Sequence, residues 1–147
     1  MKKQDFTTTI VVDQSPKHVF NAIRNPQAWW SGEIEGSADK LNDEFTYRYK
    51  DFHLSKQRIV EMIPDQKVVW LVTESIINYA EDKSEWTGTK IIFEINEINN
   101  KTQVRFSHIG LVPAFECYGD CSWAWGQLMQ ESLCSLITKG KGVNVFD

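Results

Sequence analysis

A chain of 147 residues with 41% apolar content and a formal charge of −4 at pH 7 can build one hydrophobic core and is too short for two. Its acidic balance, with lysines and acids interspersed, excludes nucleic acid and anionic membrane surfaces as expected partners, and no apolar run reaches spanning length. Three cysteines, with a start (MKKQDFTTT) that lacks the apolar core of a signal peptide, read as free thiols in a cytoplasmic protein, with no cofactor implied.

From the N-terminus, Phe6, Thr8, Ile10 and Val12 alternate with Thr7, Thr9, Val11 and Asp13, the pattern of a strand with one apolar face. Ser15-Pro16 supplies an N-cap and a proline at the first helical position, ahead of the short apolar stripe Val19, Phe20, Ile23. Asn25-Pro26 repeats the signal for a second brief helix carrying Ala28, Trp29 and Trp30, expected to stop at Gly32. From 33 to 111 the text is strand and turn. Phe45, Tyr47 and Tyr49 alternate with Thr46, Arg48 and Lys50, and residues 59–63 and 68–73 form a hairpin about Pro64-Asp65-Gln66. Ile91, Phe93 and Ile95 pair with Val104, Phe106 and His108 across Asn99-Asn100-Lys101. Residues 81–85 read as a solvated loop, and 110–116, with Pro113, as the connection to the last element.

That element, residues 118–142, is an amphipathic helix. At 100° per residue Cys121, Trp125, Leu128, Met129, Ser132 and Leu136 form one stripe with Leu133 on its flank, while Gln127, Gln130, Glu131 and Thr138 lie opposite. Asp120 is placed to cap its start and Gly140 to end it in a left-handed turn. A helix of about 20 residues is about 30 Å long and needs cover along its apolar face, which only the strands can supply. The expectation is an α+β fold: one domain over 1–147, a curved antiparallel sheet of about seven strands wrapped around the C-terminal helix, with two short helices after the first strand.

The order of elements and the tail Ser132-Leu133 followed by Leu136-Ile137-Thr138-Lys139-Gly140-Lys141-Gly142 resemble the helix-grip, or START-like, superfamily (also called SRPBCC). The nearer match is its branch named after the activator of a heat-shock chaperone ATPase. Ser15-Pro16 through Val19-Phe20, Trp29-Trp30, Tyr47 to Asp51 with His53, Glu85-Trp86-Thr87-Gly88-Thr89, Phe106 to Leu111, and Cys117-Tyr118 with Cys121 carry it further. The resemblance implies a cavity between the concave sheet face and the last helix, and a fold whose members bind sterols, hormones, lipids or polyketides or catalyse cyclisation. In the activator a separate N-terminal domain engages the chaperone, and 147 residues are expected to leave no room for one beside the helix-grip domain.

Alternation then nominates ligand-binding positions: Tyr47, Tyr49, Trp70, Phe93, Phe106, His108, Trp125, Met129 and Ser132, with Trp30 near the mouth. These aromatics either line a cavity or fill it. The leading function is binding of a small, mostly apolar or amphipathic molecule by a monomer or weak homodimer. The alternatives are an enzyme of the same fold with His108 as base and a protein-interaction or chaperone-regulating module. His108 reads as a core histidine, a ligand donor or a base, and His53 as a solvated loop residue. Cys117 and Cys121 with His53 or His108 form a weak zinc set, and no metal is expected. Trp123 and Cys134 fall on the face away from the stripe, where cover by the Pro113 loop is the expectation over a contact surface.

Overall fold

The computed structural model describes residues 6–30, 32–50, 53–77, 86–110 and 118–143. Strand β1 (Phe6–Val12) is followed by helices α1 (Pro16–Ile23) and α2 (Pro26–Trp29). The strands β2 (Glu33–Gly36), β3 (Glu44–Tyr49), β4 (His53–Ile63), β5 (Lys67–Ile77), β6 (Lys90–Ile98) and β7 (Lys101–Ile109) come next. A continuous helix closes the chain: α3 (Tyr118–Gln127), a π-helical segment (Leu128–Leu133) and α4 (Cys134–Lys139). All neighbours in the sheet pair antiparallel in the order β1-β7-β6-β5-β4-β3-β2, so α1 and α2 carry the chain from one edge to the other. Two register shifts in the β4–β5 ladder, at Lys56/Gln57 and Ile59/Glu61, add the bulges that bend the sheet.

Local chemistry sets the turns and caps. Ser15 accepts from the His18 N–H at 3.2 Å with Pro16 at the first helical position. Asn99 and Asn100 both take positive φ, which matches the right-handed twist of the β6–β7 hairpin. Helix α2 stops at Trp29, earlier than the expected Gly32, because Trp30 is already extended (φ −82°, ψ 113°). Gly32 serves another purpose: a Cβ there would lie 2.6 Å from Tyr47 Cε1. Strands β4 and β5 run longer than alternation indicated, so His53 opens a strand and is half-buried, not a solvated loop residue.

The last helix begins by Tyr118, which puts Asp120 inside its first turn and not at the cap. Gly140 ends it with φ 81° as expected, its N–H on the Leu136 carbonyl. The π-helical segment was not legible in the sequence. Its wider i→i+5 turn adds one residue per turn and rotates everything downstream. Ile137 is therefore fully buried in place of Leu136, which is half-buried, and Cys134 turns far enough to pack against the core. Trp123 stays 57% exposed, against the expectation of cover, and Pro113 lies outside the described residues. On the opposite flank the Gln130 amide donates to the Thr9 carbonyl at 3.0 Å, occupying a backbone acceptor on edge strand β1.

Candidate functional site

The space between sheet and helix holds an aromatic cluster to which six elements contribute rings. α2 and the residue after it bring Trp29 and Trp30, β3 brings Phe45 and Tyr47, β5 Trp70, β6 Phe93, β7 Phe106 and α3 Trp125. Trp30 was placed near the mouth by sequence; it is 3% exposed and sits in the middle, stacked on Tyr47 at 3.9 Å and 5.0 Å from Trp125. Trp70 lies edge-on to Phe45 and Phe93, both at 4.9 Å, and Phe106 lies 4.6 Å from Trp125. Met129 is fully buried in the same cluster, while Tyr49 is half-buried at its margin. The nominated aromatic positions other than Tyr49 are thus brought together, with their rings in contact.

Polar groups inside this cluster fall into two sets. In the first, Trp125 Nε1–H donates to His108 Nδ1 at 3.0 Å, so that nitrogen carries no proton. The proton of the neutral ring then sits on Nε2, which donates to Thr89 Oγ1 at 2.8 Å, and the Thr89 hydroxyl donates to the Trp86 carbonyl at 2.5 Å. Every member of the chain is satisfied. Burial pushes His108 down to about 3, with nearby His53 adding to the effect. Ser132 is also engaged: it donates to the Trp29 carbonyl at 2.5 Å and accepts from the Val143 N–H at 3.1 Å, tying α2 and the chain after α4 to the π-helical segment.

The second set was missed. His53, Ser55 and Gln57 occupy alternate positions of β4, in phase with buried Ile59, and therefore point inward; Ser55 and Gln57 are fully buried. Gln57 Nε2 donates to Ser55 Oγ at 2.6 Å, which also meets His53 Nε2 at 3.1 Å. Burial lowers His53 to about 4. The His53 ring packs on Trp86 at 4.4 Å, and Trp86 meets His108 at 4.7 Å, so the two sets share one indole. The signal was available in the sequence, since these residues share the parity of Ile59, but the strand was started at residue 59. Several buried atoms have no hydrogen-bond partner, among them the indole Nε1 of Trp29, Trp70 and Trp86 and Gln57 Oε1. Among the described residues no group of three metal-ligating side chains comes together; Cys117 and the Cys121 side chain lie outside them.

No protein-family model and no curated protein matches this chain. Solved structures do. The solution structure of the Aha1 dimer from Colwellia psychrerythraea is similar with a TM-score of 0.75 and 24% identity, over 95% of this chain and 99% of that one. DynU16, from the dynemicin biosynthetic locus, is similar with a TM-score of 0.68 and 10% identity, over 97% of this chain and 51% of that one. Protein MLL2253 from Mesorhizobium loti matches with a TM-score of 0.68 and 12% identity, over 93% of this chain and 99% of that one. With seven antiparallel strands folded onto one C-terminal helix, and structural likeness along nearly its whole length to these solved structures, the chain has a helix-grip fold.

Proposed function

We propose that this protein binds a small, mostly apolar or amphipathic molecule between the concave sheet face and the last helix, against Trp30, Tyr47, Tyr49, Trp70, Phe93, Phe106, His108, Trp125, Met129 and Ser132. The observation that carries this reading is the set of three buried indole N–H groups without acceptors. An unpaired buried donor costs about 1–3 kcal/mol, and a core selected only to be filled has cheaper residues than tryptophan for these positions. Because the rings touch, a ligand has to part them, so binding and ring packing compete. Burying about 300 Å² of ligand apolar surface supplies roughly 7 kcal/mol, within the association cost of about 4–15 kcal/mol, so affinity depends on polar anchors.

The enzymatic reading with His108 as base loses support from the same geometry. A base needs a free lone pair, and the one on Nδ1 is taken by the Trp125 indole while Nε2 holds the proton. An interaction surface on the outer face of the last helix is favoured by one observation, the 57% exposure of Trp123, and would make a homodimer, the state in which the similar Aha1 structure was solved.

Native mass spectrometry of protein purified from its own host tests the ligand reading. A co-purifying small molecule that is lost on unfolding is the expected result. A bare polypeptide mass, with no melting-temperature rise in a screen of phenols, acyl amphiphiles and sterol-like alcohols, would return the aromatics to a plain structural core.

A further inference from the structure

The buried face of β4 carries more polar groups than a lining for hydrocarbon requires. Gln57 is fully buried, spends its amide N–H on Ser55, and leaves Oε1 without a donor. It stands across from Phe45 on β3 and Val72 on β5, one step along the inward face from Ile59, whose β5 partner is Trp70. Val72 in turn exchanges backbone hydrogen bonds with Gly88 and Thr89, which places the Trp86–Thr89 turn beside the same spot. Trp86 reaches it through His53, which packs on the indole and bonds to Ser55. Gln57, with its unpaired acceptor Oε1, thus lies between two positions that carry unpaired donors, the indole N–H groups of Trp70 and Trp86. Among the described residues no Asp, Glu, Lys or Arg is buried, and the titratable groups beside the patch, His53 and His108, are held neutral by burial, so a charged head group would meet no fixed counter-charge.

Resting on the ligand-binding reading above, we infer that the Gln57, Trp70 and Trp86 patch anchors an uncharged polar head group able both to donate and to accept, a hydroxyl or a carboxamide. The apolar body of the same ligand lies along Trp30, Phe106 and Trp125. Such a head group donates to Gln57 Oε1 and accepts from an indole N–H, completing groups that are otherwise orphaned. A carboxylate would leave Gln57 Oε1 facing an anion, and an ammonium would face two N–H donors. Both are rejected, because a buried charge without a partner is far more costly than a buried hydroxyl. The satisfied chain of Trp125, His108 and Thr89 forms a wall and offers no further anchor.

A matched series with one apolar body decides the matter: naphthalene, 2-naphthol, 2-naphthamide and 2-naphthoate, measured at pH 7 by equilibrium dialysis against the full chain. The naphthol and the naphthamide should bind at least about fivefold more tightly than naphthalene, the gain of one neutral hydrogen bond, and naphthoate should bind most weakly. Gln57→Met keeps bulk and removes both amide heteroatoms, and Trp86→Phe removes the indole N–H together with part of the ring. Each should lower the naphthol-to-naphthalene affinity ratio by about fivefold to tenfold. Their melting curves are run alongside, and Gln57→Met should melt close to the parent protein, since deletion of the orphaned acceptor offsets the lost donation to Ser55. Naphthol no tighter than naphthalene, naphthoate as tight as naphthol, or a naphthol-to-naphthalene ratio untouched by both variants would overturn the anchor while leaving ligand binding in place. Failure of all four probes to bind would overturn the ligand reading and the anchor with it.

Discussion

Two neutral histidines, one fully buried and one half-buried, make the stability of this fold depend on pH in a window where carboxylates contribute little. In the unfolded chain each imidazole takes up a proton near pH 6.5. In the folded chain burial holds His53 at about 4 and His108 at about 3. Between pH 4 and 6.5 the unfolded state binds more protons, so stability rises with pH and is lost as the solution is acidified. From pH 7 to pH 5 a histidine that stays neutral when folded and protonates normally when unfolded costs about 2 kcal/mol, whatever its exact folded value below 5. His108, fully buried, supplies that amount; half-buried His53 supplies up to as much again, for up to about 4 kcal/mol in total. The Asp43 carboxyl, held below its ordinary value chiefly by the Ser37 hydroxyl, loses its contribution only below this window. Urea unfolding at pH 7, 6 and 5 reads the loss directly, and His53→Gln should remove up to half of it. Imidazole nitrogen shifts at pH 6 should show His108 uncharged with its proton on Nε2. A stability flat from pH 7 to 5, or a His108 ring that charges near pH 6.5, would refute the hydrogen-bond assignment from Trp125 to Thr89.

Other outcomes follow from single contacts. Trp125→Phe keeps a ring in the cluster but strips the donor from His108 Nδ1; it should cost about 1–3 kcal/mol for the orphaned nitrogen, with a further loss for the smaller ring, as measured by denaturant midpoint. Gly142→Ala would drive a methyl into the Ala28 carbonyl oxygen, backbone that cannot step aside, so a melting temperature lowered by several degrees is expected, and an unchanged one would show that residues after α4 do not dock on α2. Trp123→Ser should leave stability within about 0.5 kcal/mol; if the exposed indole marks a dimer contact, the molar mass by light scattering at high concentration should fall toward the monomer. A thiol reagent applied to unfolded protein without reductant should titrate all three cysteines, and stoichiometric zinc retained through purification would contradict that outcome.

Element types and their order were legible in the sequence because each rests on neighbours within a few residues. The strand alternation of Phe6 to Val12, the Ser15-Pro16 and Asn25-Pro26 starts, the Asn99-Asn100 turn and the Gly140 stop are all local chemistry, and all stand in the structure. The inward parity of Tyr47, Trp70, Phe93, Phe106 and His108 was equally local, since one period-2 pattern with one apolar face has a single phase. Tertiary structure decided the rest. Which nitrogen of His108 holds the proton depends on an indole 17 residues later and a threonine 19 residues earlier, and no periodicity encodes that meeting. The π-helical turn that trades Leu136 for Ile137 is set by packing across the helix, against Trp29 through Ser132 and against β1 through Gln130, since no residue in Leu128–Leu133 compels it. The polar face of β4 reads as solvated in one dimension because His, Ser and Gln are ordinarily exposed; it is inward only because the sheet curls over the helix and presents that parity to the core.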